Sequence, residues 1–268
     1  MTPPSPGAPA VVARVRYAPD LRQPRHADDA IQISLVLGGG LVERAGAREE
    51  RAGPLSLVVK ARGVEHADAY GPEGALLFSL ALRGDAGERL IDDPGRLPAW
   101  RWIPGAPAAR PLLRLLDRLV GPGAVVAGDD PDVLAVLAAV TDGAERSPGG
   151  VAPAWLQRVR ERLDEEDAVR VGAAARDAGV HPVYLARCFR RWYGCSVAGY
   201  LQRVRLRRSA TLMHRGAYTL GRVAHEAGFA DQAHFGHRFR EATGLTPGRF
   251  RALAAPSAPA ITARDRFG

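Results

Sequence analysis

The chain has 268 residues, 46% of them hydrophobic, with 37 basic and 29 acidic side chains for a formal net charge of +8. That is one or two domains' worth of soluble globular chain, and no apolar run approaches the roughly 20 residues that cross a bilayer, so a membrane partner is excluded. Two cysteines, Cys188 and Cys195, exclude a disulfide framework and a cysteine-rich metal centre, and read as buried structural thiols.

Residues 1–10 are proline-rich and are expected to be disordered. They have neither a basic n-region nor an apolar core, so no signal peptide is expected, and the expected location is the cytoplasm. From 11 to about 105 the signals are short strands. Ile31, Ile33, Leu35 and Leu37 alternate with Gln32 and Ser34, after which Gly38-Gly39-Gly40 is read as a turn into Leu41-Val42. Leu55, Leu57 and Val59 follow Gly53-Pro54, and Leu76, Phe78, Leu80 and Leu82 follow Gly71-Pro72. Many short strands punctuated by Gly and Pro predict a β-sandwich or barrel. His26 and His66 stand beside these strands as candidate pocket residues.

Trp100-Arg101-Trp102 and the proline-rich stretch from Ile103 to Pro111 close the first region. Between 106 and 147, Leu112, Leu115, Leu116 and Leu119, then Val133, Val136, Leu137 and Val140, repeat at helical spacing, with Asp129-Asp130 and Pro131 opening the second helix. These stripes either pack on the strands or pair with the same helices of a second subunit. Ser147-Pro148-Gly149-Gly150 is the expected linker to residues 153–253, where Trp155, Leu156, Val159 and Leu163 start a helical half. Asp164-Glu165-Glu166-Asp167 reads as a solvated helix end, and residues 254–268 as a flexible tail.

The helical half contains one pattern twice. Val171 to Gly179 leads to Leu185, Phe189, Gly194 and Tyr200, and Leu220 to Gly228 leads to Phe235, Phe239, Gly244 and Phe250. The offset is 49 residues up to the glycine and 50 from Leu185 and Phe235 onward, so the second turn is one residue longer. A helix, a glycine able to take positive φ, a short turn and a second helix describe helix-turn-helix motifs, at about 168–193 and 217–243. Opposite the Leu185/Phe189 and Phe235/Phe239 faces lie Val183, Arg187 and Arg190 in one copy and Ala233, His237 and Arg240 in the other.

Charge follows the repeat. Residues 168–253 hold 15 Arg, no Lys and 4 acids, whereas residues 1–150 hold 17 basic and 19 acidic side chains. Only Lys60 of the 37 basic residues is lysine, a bias in which coding composition plays a part, so the informative feature is where the arginines sit. A net charge of +11 on the repeat is an electrostatic footprint for a polyanion.

The run Gly228-Phe229-Ala-Asp231-Gln-Ala-His-Phe235-Gly-His-Arg-Phe239, continuing through Gly244-Leu-Thr-Pro247 to Phe250-Arg251, resembles the signature of AraC/XylS transcription regulators. The first copy, with Tyr200-Leu-Gln-Arg-Val-Arg205-Leu and Leu212-Met213, is similar to that family's first motif and linking helix. The resemblance covers about the last hundred residues. His181 stands where the family usually has a Ser N-cap, and His237 where it commonly has Arg.

The resemblance implies an α+β chain: an N-terminal cupin-like β-barrel that senses a small-molecule effector, following helices that dimerise, and an all-α domain with two helix-turn-helix motifs. It also implies double-stranded DNA, RNA polymerase and a homodimeric copy as partners, no enzymatic activity and no cofactor. A metal-dependent cupin enzyme would need His-X-His, but His26 is followed by Ala27-Asp28; the two histidines are therefore expected to face an effector rather than a metal. A metal-dependent enzyme fused to a DNA-binding module, and a regulator whose barrel only dimerises, remain alternatives. In such a regulator the two recognition helices would enter successive major-groove segments about 34 Å apart. Arg187 is expected to contact guanine, Gln232 adenine and His237 a base acceptor or phosphate, while Arg190, Arg240, Arg207 and Arg208 are expected at phosphates.

Overall fold

The computed structural model describes residues 10–83, 99–119, 124–141, 152–165, 171–255 and 260–261. The proline-rich start up to residue 9, the linker 147–150 and most of the tail lie outside these residues.

Among the described residues nine strands form one sheet: β1 Ala10–Tyr17, β2 Arg22–Ala27, β3 Ile31–Ala45, β4 Arg48–Ala52, β5 Ser56–Lys60, β6 Glu65–Leu82, β7 Trp100–Pro104, β8 Ala124–Val126 and β9 Ala260–Ile261. Their order is β7-β5-β3-β6-β1-β8, with β4 beside β3, β2 beside β6 and β9 beside β1. The ends at β7 and β8 do not pair, so among the described residues the sheet is open, not the closed barrel expected. The apolar face that a barrel would turn inward is covered by helices instead.

The expected turn at Gly38-Gly39-Gly40 does not form. Strand β3 runs through it, as β6 runs through Gly71 to Gly74, and the register shifts at Val36/Gly38 and Gly39/Leu41. Both long strands bend there, because glycine tolerates the conformation and leaves room for it. Gly39 and Gly74 have φ +68°, and a Cβ on either would lie 2.1–2.2 Å from the carbonyl oxygens of Gly74 and Tyr17 respectively. The bend folds the sheet on itself and gives it two different faces.

The period of two in the sequence separates these faces. Ile33, Leu35, Leu37, Leu57, Val59, Leu76, Phe78, Leu80 and Leu82 enter one apolar core. Their neighbours Gln32, Ser34, Val58, Lys60, Leu77 and Ser79 face a polar cavity inside the bend. The polar positions of the alternation thus serve a second interior, not solvent.

Helix α1, Ala106–Arg118, begins within the stretch read as proline-rich connection and carries Pro111 internally. Helix α2, Pro131–Thr141, starts as expected, with Asp130 Oδ1 accepting from the Asp132 amide at 2.9 Å. The stripes Leu112, Leu115, Leu116 and Val133, Val136, Leu137, Val140 are buried in the same core as the sheet. They are consumed within one chain, so they do not offer the dimerisation face considered from the sequence. Within a single subunit the geometry already satisfies them.

Seven further helices follow among the described residues: α3 Ala154–Glu165, α4 Val171–Asp177, α5 Pro182–Tyr193, α6 Val197–His214, α7 Leu220–Glu226, α8 Gln232–Thr243 and α9 Pro247–Leu253. They divide into two cores. Leu156, Val159, Leu163, Ala174, Ala175, Leu185, Phe189 and Val197 form one by themselves. Val223, Ala224, Phe229, Phe235, Phe239, Leu245, Phe250 and Leu253 instead join the core of the sheet and α1. Helix α6, about 27 Å long for its 18 residues, connects them: Val197 belongs to the first core, Leu206, Ala210 and Met213 to the second.

Polar contacts reinforce the second attachment. Arg14 Nη1 donates to the Leu253 carbonyl at 3.0 Å, Arg215 pairs with Glu73 at 2.7 Å, and Arg249 pairs with Asp117. The tail is not wholly free either, since Ala254 is fully buried and Ala260–Ile261 pair in parallel with Arg16–Tyr17. Among the described residues no helix is long and apolar enough to cross a membrane.

Candidate nucleic-acid interface and the polar cavity

Each of the two helix pairs begins with a seven-residue helix, α4 or α7, and ends with a twelve-residue one, α5 or α8. Gly179 and Gly228 take φ +65° and +81° just beyond the first helix of each pair, and Gly194 and Gly244 cap the second in the left-handed conformation. Asp231 caps α8 by accepting from the His234 amide at 2.8 Å. His181, chemically unlike the usual cap residues, still caps α5: its Nδ1 accepts from the Val183 amide at 3.3 Å.

The buried faces hold the long helices in place. In α5, Leu185 and Phe189 are fully buried, with Tyr193 and Tyr200 rings against Phe189 at 4.6 and 5.3 Å. In α8, Phe235 and Phe239 are fully buried, with ring centroids 5.6 Å apart, and Phe250 lies 5.2 Å from Phe239.

The expected residues are among those that face outward. Val183, Arg187 and Arg190 are exposed together on α5, and Ala233, His237 and Arg240 together on α8, with Gln232 exposed at its start. Arg187, Arg190 and Arg240 form no ion pair with a described residue, so their charges are presented outward. Two α5 residues were not singled out by the pattern. Arg191 adjoins Arg187 and Arg190 along a shallow depression of about 560 Å³, and Tyr184 is 54% exposed. The spacing of Arg191 from Arg187, four residues, is the signal that places it there.

Arg207 and Arg208, the two α6 arginines expected at phosphates, are placed differently. Arg207 Nη2 donates to Asp164 Oδ1 at 2.6 Å, and the Tyr200 hydroxyl donates to both oxygens of the same carboxylate at 2.9–3.0 Å. Burial, then the Asp164 charge, pushes the Tyr200 hydroxyl well above the ordinary phenol range. Asp164, read as a solvated helix end, therefore ties α3 to α6. Arg208 is half-buried on the same helix. Cys188 and Cys195 are free and half-buried, less enclosed than expected.

A second concentration of polar groups lies inside the bend of the sheet. His26 and His66 are there, opposite each other on β2 and β6, their rings 4.3 Å apart. Glu43, Lys60, His66 and Asp68 are all buried among them. Lys60 Nζ lies 2.8 Å from His66 Nε2, 3.1 Å from Glu43 Oε1 and 3.7 Å from Asp28 Oδ2.

Burial opposes the Lys60 charge, but Glu43, Asp68 and Asp28 together outweigh it and hold the ammonium above the usual lysine range. Burial, and then Lys60, holds the His66 imidazole below its ordinary value. Burial likewise raises the Asp68 carboxyl, against the pull of Lys60. Pattern reading missed Glu43, Lys60 and Asp68; the available signal was Lys60, the single lysine of the chain, at an apparently outward position of a strand.

The cavity these groups line is only about 20 Å³, room for a water molecule or an ion. A metabolite-sized concavity, about 470 Å³, is lined by Arg22, Arg44 and Arg51 and shares Gln23 and Asp68 with the polar cavity; there Arg44 pairs with Glu49 at 2.5 Å. The histidines expected to face an effector thus line the smaller space.

Residues 174–253 match a family model described as a helix-turn-helix domain. The chain is 34% identical over 79 residues to the HTH-type transcriptional regulator GlxA of Rhizobium meliloti, covering 30% of this chain and 24% of that protein. It is 26% identical over 97 residues to the probable transcription factor PqrA of Proteus vulgaris, covering 36% and 77%. The chain spans about a quarter of GlxA and 36% of a third relative, the Msm operon regulatory protein of Streptococcus mutans. Among solved structures, ToxT of Vibrio cholerae aligns over 91% of this chain and 97% of its own, at 11% identity and a TM-score of 0.39. The helix-turn-helix match falls on the two helix pairs with exposed arginines, and it is this part of the chain that is similar to transcription regulators.

Proposed function

We propose that the chain is a sequence-specific transcription regulator that reads double-stranded DNA with α5 and α8, the second helices of two helix-turn-helix units. The observation that carries this is the pairing of a fully buried aromatic face with an exposed Arg/His face on both helices. Rigid burial on one side fixes which side chains project from the other. The N-terminal sheet, fused to the second unit through a common core, is the sensing part, with His26 and His66 at its ligand-facing side. RNA polymerase is the partner through which a bound regulator acts, and a second copy pairs through a surface other than the buried leucine stripes.

Arg187 reads a guanine and Gln232 an adenine. Val183, Ala233 and His237 complete the base-facing set, while Arg190, Arg240 and Arg208 contact phosphate. Arg207, held by Asp164, positions α6 against α3 in place of a phosphate contact. Selection of bound duplexes from a random pool by the purified full chain tests the reading; recovery of no preferred sequence would refute it.

Two variants separate the roles. Arg187→Ala is expected to weaken binding to the selected site by about 1–3 kcal/mol and to relax preference at one position. Equal weakening on every duplex would make Arg187 a phosphate contact. Arg190→Ala is expected to weaken all duplexes alike and to lower the slope of log affinity against log salt by about one unit, whereas Arg207→Ala leaves that slope unchanged. A salt titration of the three proteins decides both assignments.

A further inference from the structure

The densest chemistry that DNA reading does not use is the polar cavity in the bend of the sheet. His26, His66 and Asp68 each offer one ligand atom there, all within 4.8 Å of one another. His66 and Asp68 share a face of β6, and His26 is the direct cross-strand partner of His66.

Both imidazoles are oriented in the same way. His26 Nδ1 is 2.9 Å from the Pro24 carbonyl oxygen, and His66 Nδ1 is 3.0 Å from the Val64 carbonyl oxygen. A carbonyl only accepts, so each Nδ1 donates, and the neutral ring carries its lone pair on Nε2. Donation of one ring N–H to a backbone carbonyl is how metal-binding histidines are fixed in tautomer and direction.

Charge in the cavity points the same way. Asp28, Glu43 and Asp68 surround the single ammonium of Lys60, leaving a formal charge of −2 that one divalent ion would cancel. Glu43 is fully buried, and its Oε2 has no hydrogen-bond partner among the described residues. Lys60 answers the carboxylate at Oε1, which leaves Oε2 as an enclosed acceptor open to a second cation. The space, about 20 Å³, admits an ion and excludes a metabolite.

We propose that His26, His66 and Asp68 bind a divalent transition-metal ion, with Glu43 beside it, and that this ion is the effector of the regulator. The effector role rests on the regulator reading above; the site does not. Two neutral imidazoles and a carboxylate suit zinc, cobalt, nickel or ferrous iron better than calcium or magnesium. Lys60 Nζ, 2.8 Å from His66 Nε2, holds the place of the cation and swings aside when the ion enters.

Cobalt(II) titrated into the full chain is the direct test. One equivalent is expected to bind, with visible ligand-field absorption, and paramagnetic broadening should centre on resonances of β2 and β6. His66→Gln and Asp68→Asn are each expected to weaken binding by at least about tenfold, with circular dichroism confirming that they fold. If neither variant folds, the broadening in the unmodified chain locates the ion. No binding at millimolar cobalt, undiminished binding in both folded variants, or broadening at exposed histidines such as His181 and His237 would overturn the site.

Duplex affinity measured with cobalt and with chelator separates the two readings. A shift of severalfold supports the effector role, and equal affinity with the ion bound overturns it. A chain that selects a duplex but takes no cobalt remains a regulator without this site. One that takes cobalt at β2 and β6 but selects no duplex keeps the site and loses the regulator.

Discussion

Phe239→Ala is expected to lower the stability of the chain by about 3–5 kcal/mol, the usual cost of emptying a fully enclosed aromatic position. Phe239 is completely buried between the rings of Phe235 and Phe250, in a core that extends through α1 to the sheet. Collapse of that cavity would have to move α8, α9 and α1 together, so little of the loss is recovered by relaxation. The sheet and the second helix pair should lose stability in one transition. Phe189→Ala, in a core confined to α3 to α6, should affect the first pair alone. Urea unfolding followed by circular dichroism and by hydrogen exchange in β3 and β6 checks this; undiminished protection of the sheet in Phe239→Ala would contradict a common core.

Lys60→Met is expected to cost a similar amount, about 3–5 kcal/mol, because it strands Glu43 as an uncompensated buried charge. Glu43 is fully buried with Lys60 Nζ 3.1 Å away. The double variant Lys60→Met/Glu43→Gln removes the stranded charge and should regain most of the loss, a non-additivity that a double-mutant cycle measures directly.

The pH dependence follows from the direction of the Lys60 shift. The folded chain holds this proton more tightly than the unfolded one. The stabilisation is therefore fully present below the unfolded lysine value of about 10.4 and is lost as pH rises through the higher folded value. Stability of the unmodified chain should fall steeply in that alkaline window, and that of the double variant less so. Parallel curves for the two proteins would show that Lys60 does not carry the effect.

Sequence periodicity was most informative where one face of an element meets one core. The duplicated helices, their glycine caps and the one-residue difference between turns could all be read, because Leu185, Phe189, Phe235 and Phe239 mark buried faces by spacing alone. The outward arginines followed from the same geometry. It was least informative where both faces of a strand are enclosed. Gln32, Ser34 and Lys60 look solvent-facing in an alternating strand, yet they line an interior created by the bends at Gly39 and Gly74. A triple glycine is equally consistent with a turn or with a bend in a continuous strand, and only the approach of the Gly74 carbonyl distinguishes them. No local pattern reveals that Asp164, 43 residues away, is the partner of Arg207.

The unequal anchoring of the two helix pairs has a bearing on how such a chain can change. The first pair, with its private core and its attachment along α6, is the more transplantable: a chimera carrying a foreign pair there would leave the core of the sheet intact. The second cannot be exchanged without refitting α1 and the sheet to the newcomer. Innovation in what is recognised is thus cheapest on one side of the molecule, while the other side stays committed to whatever the sheet responds to.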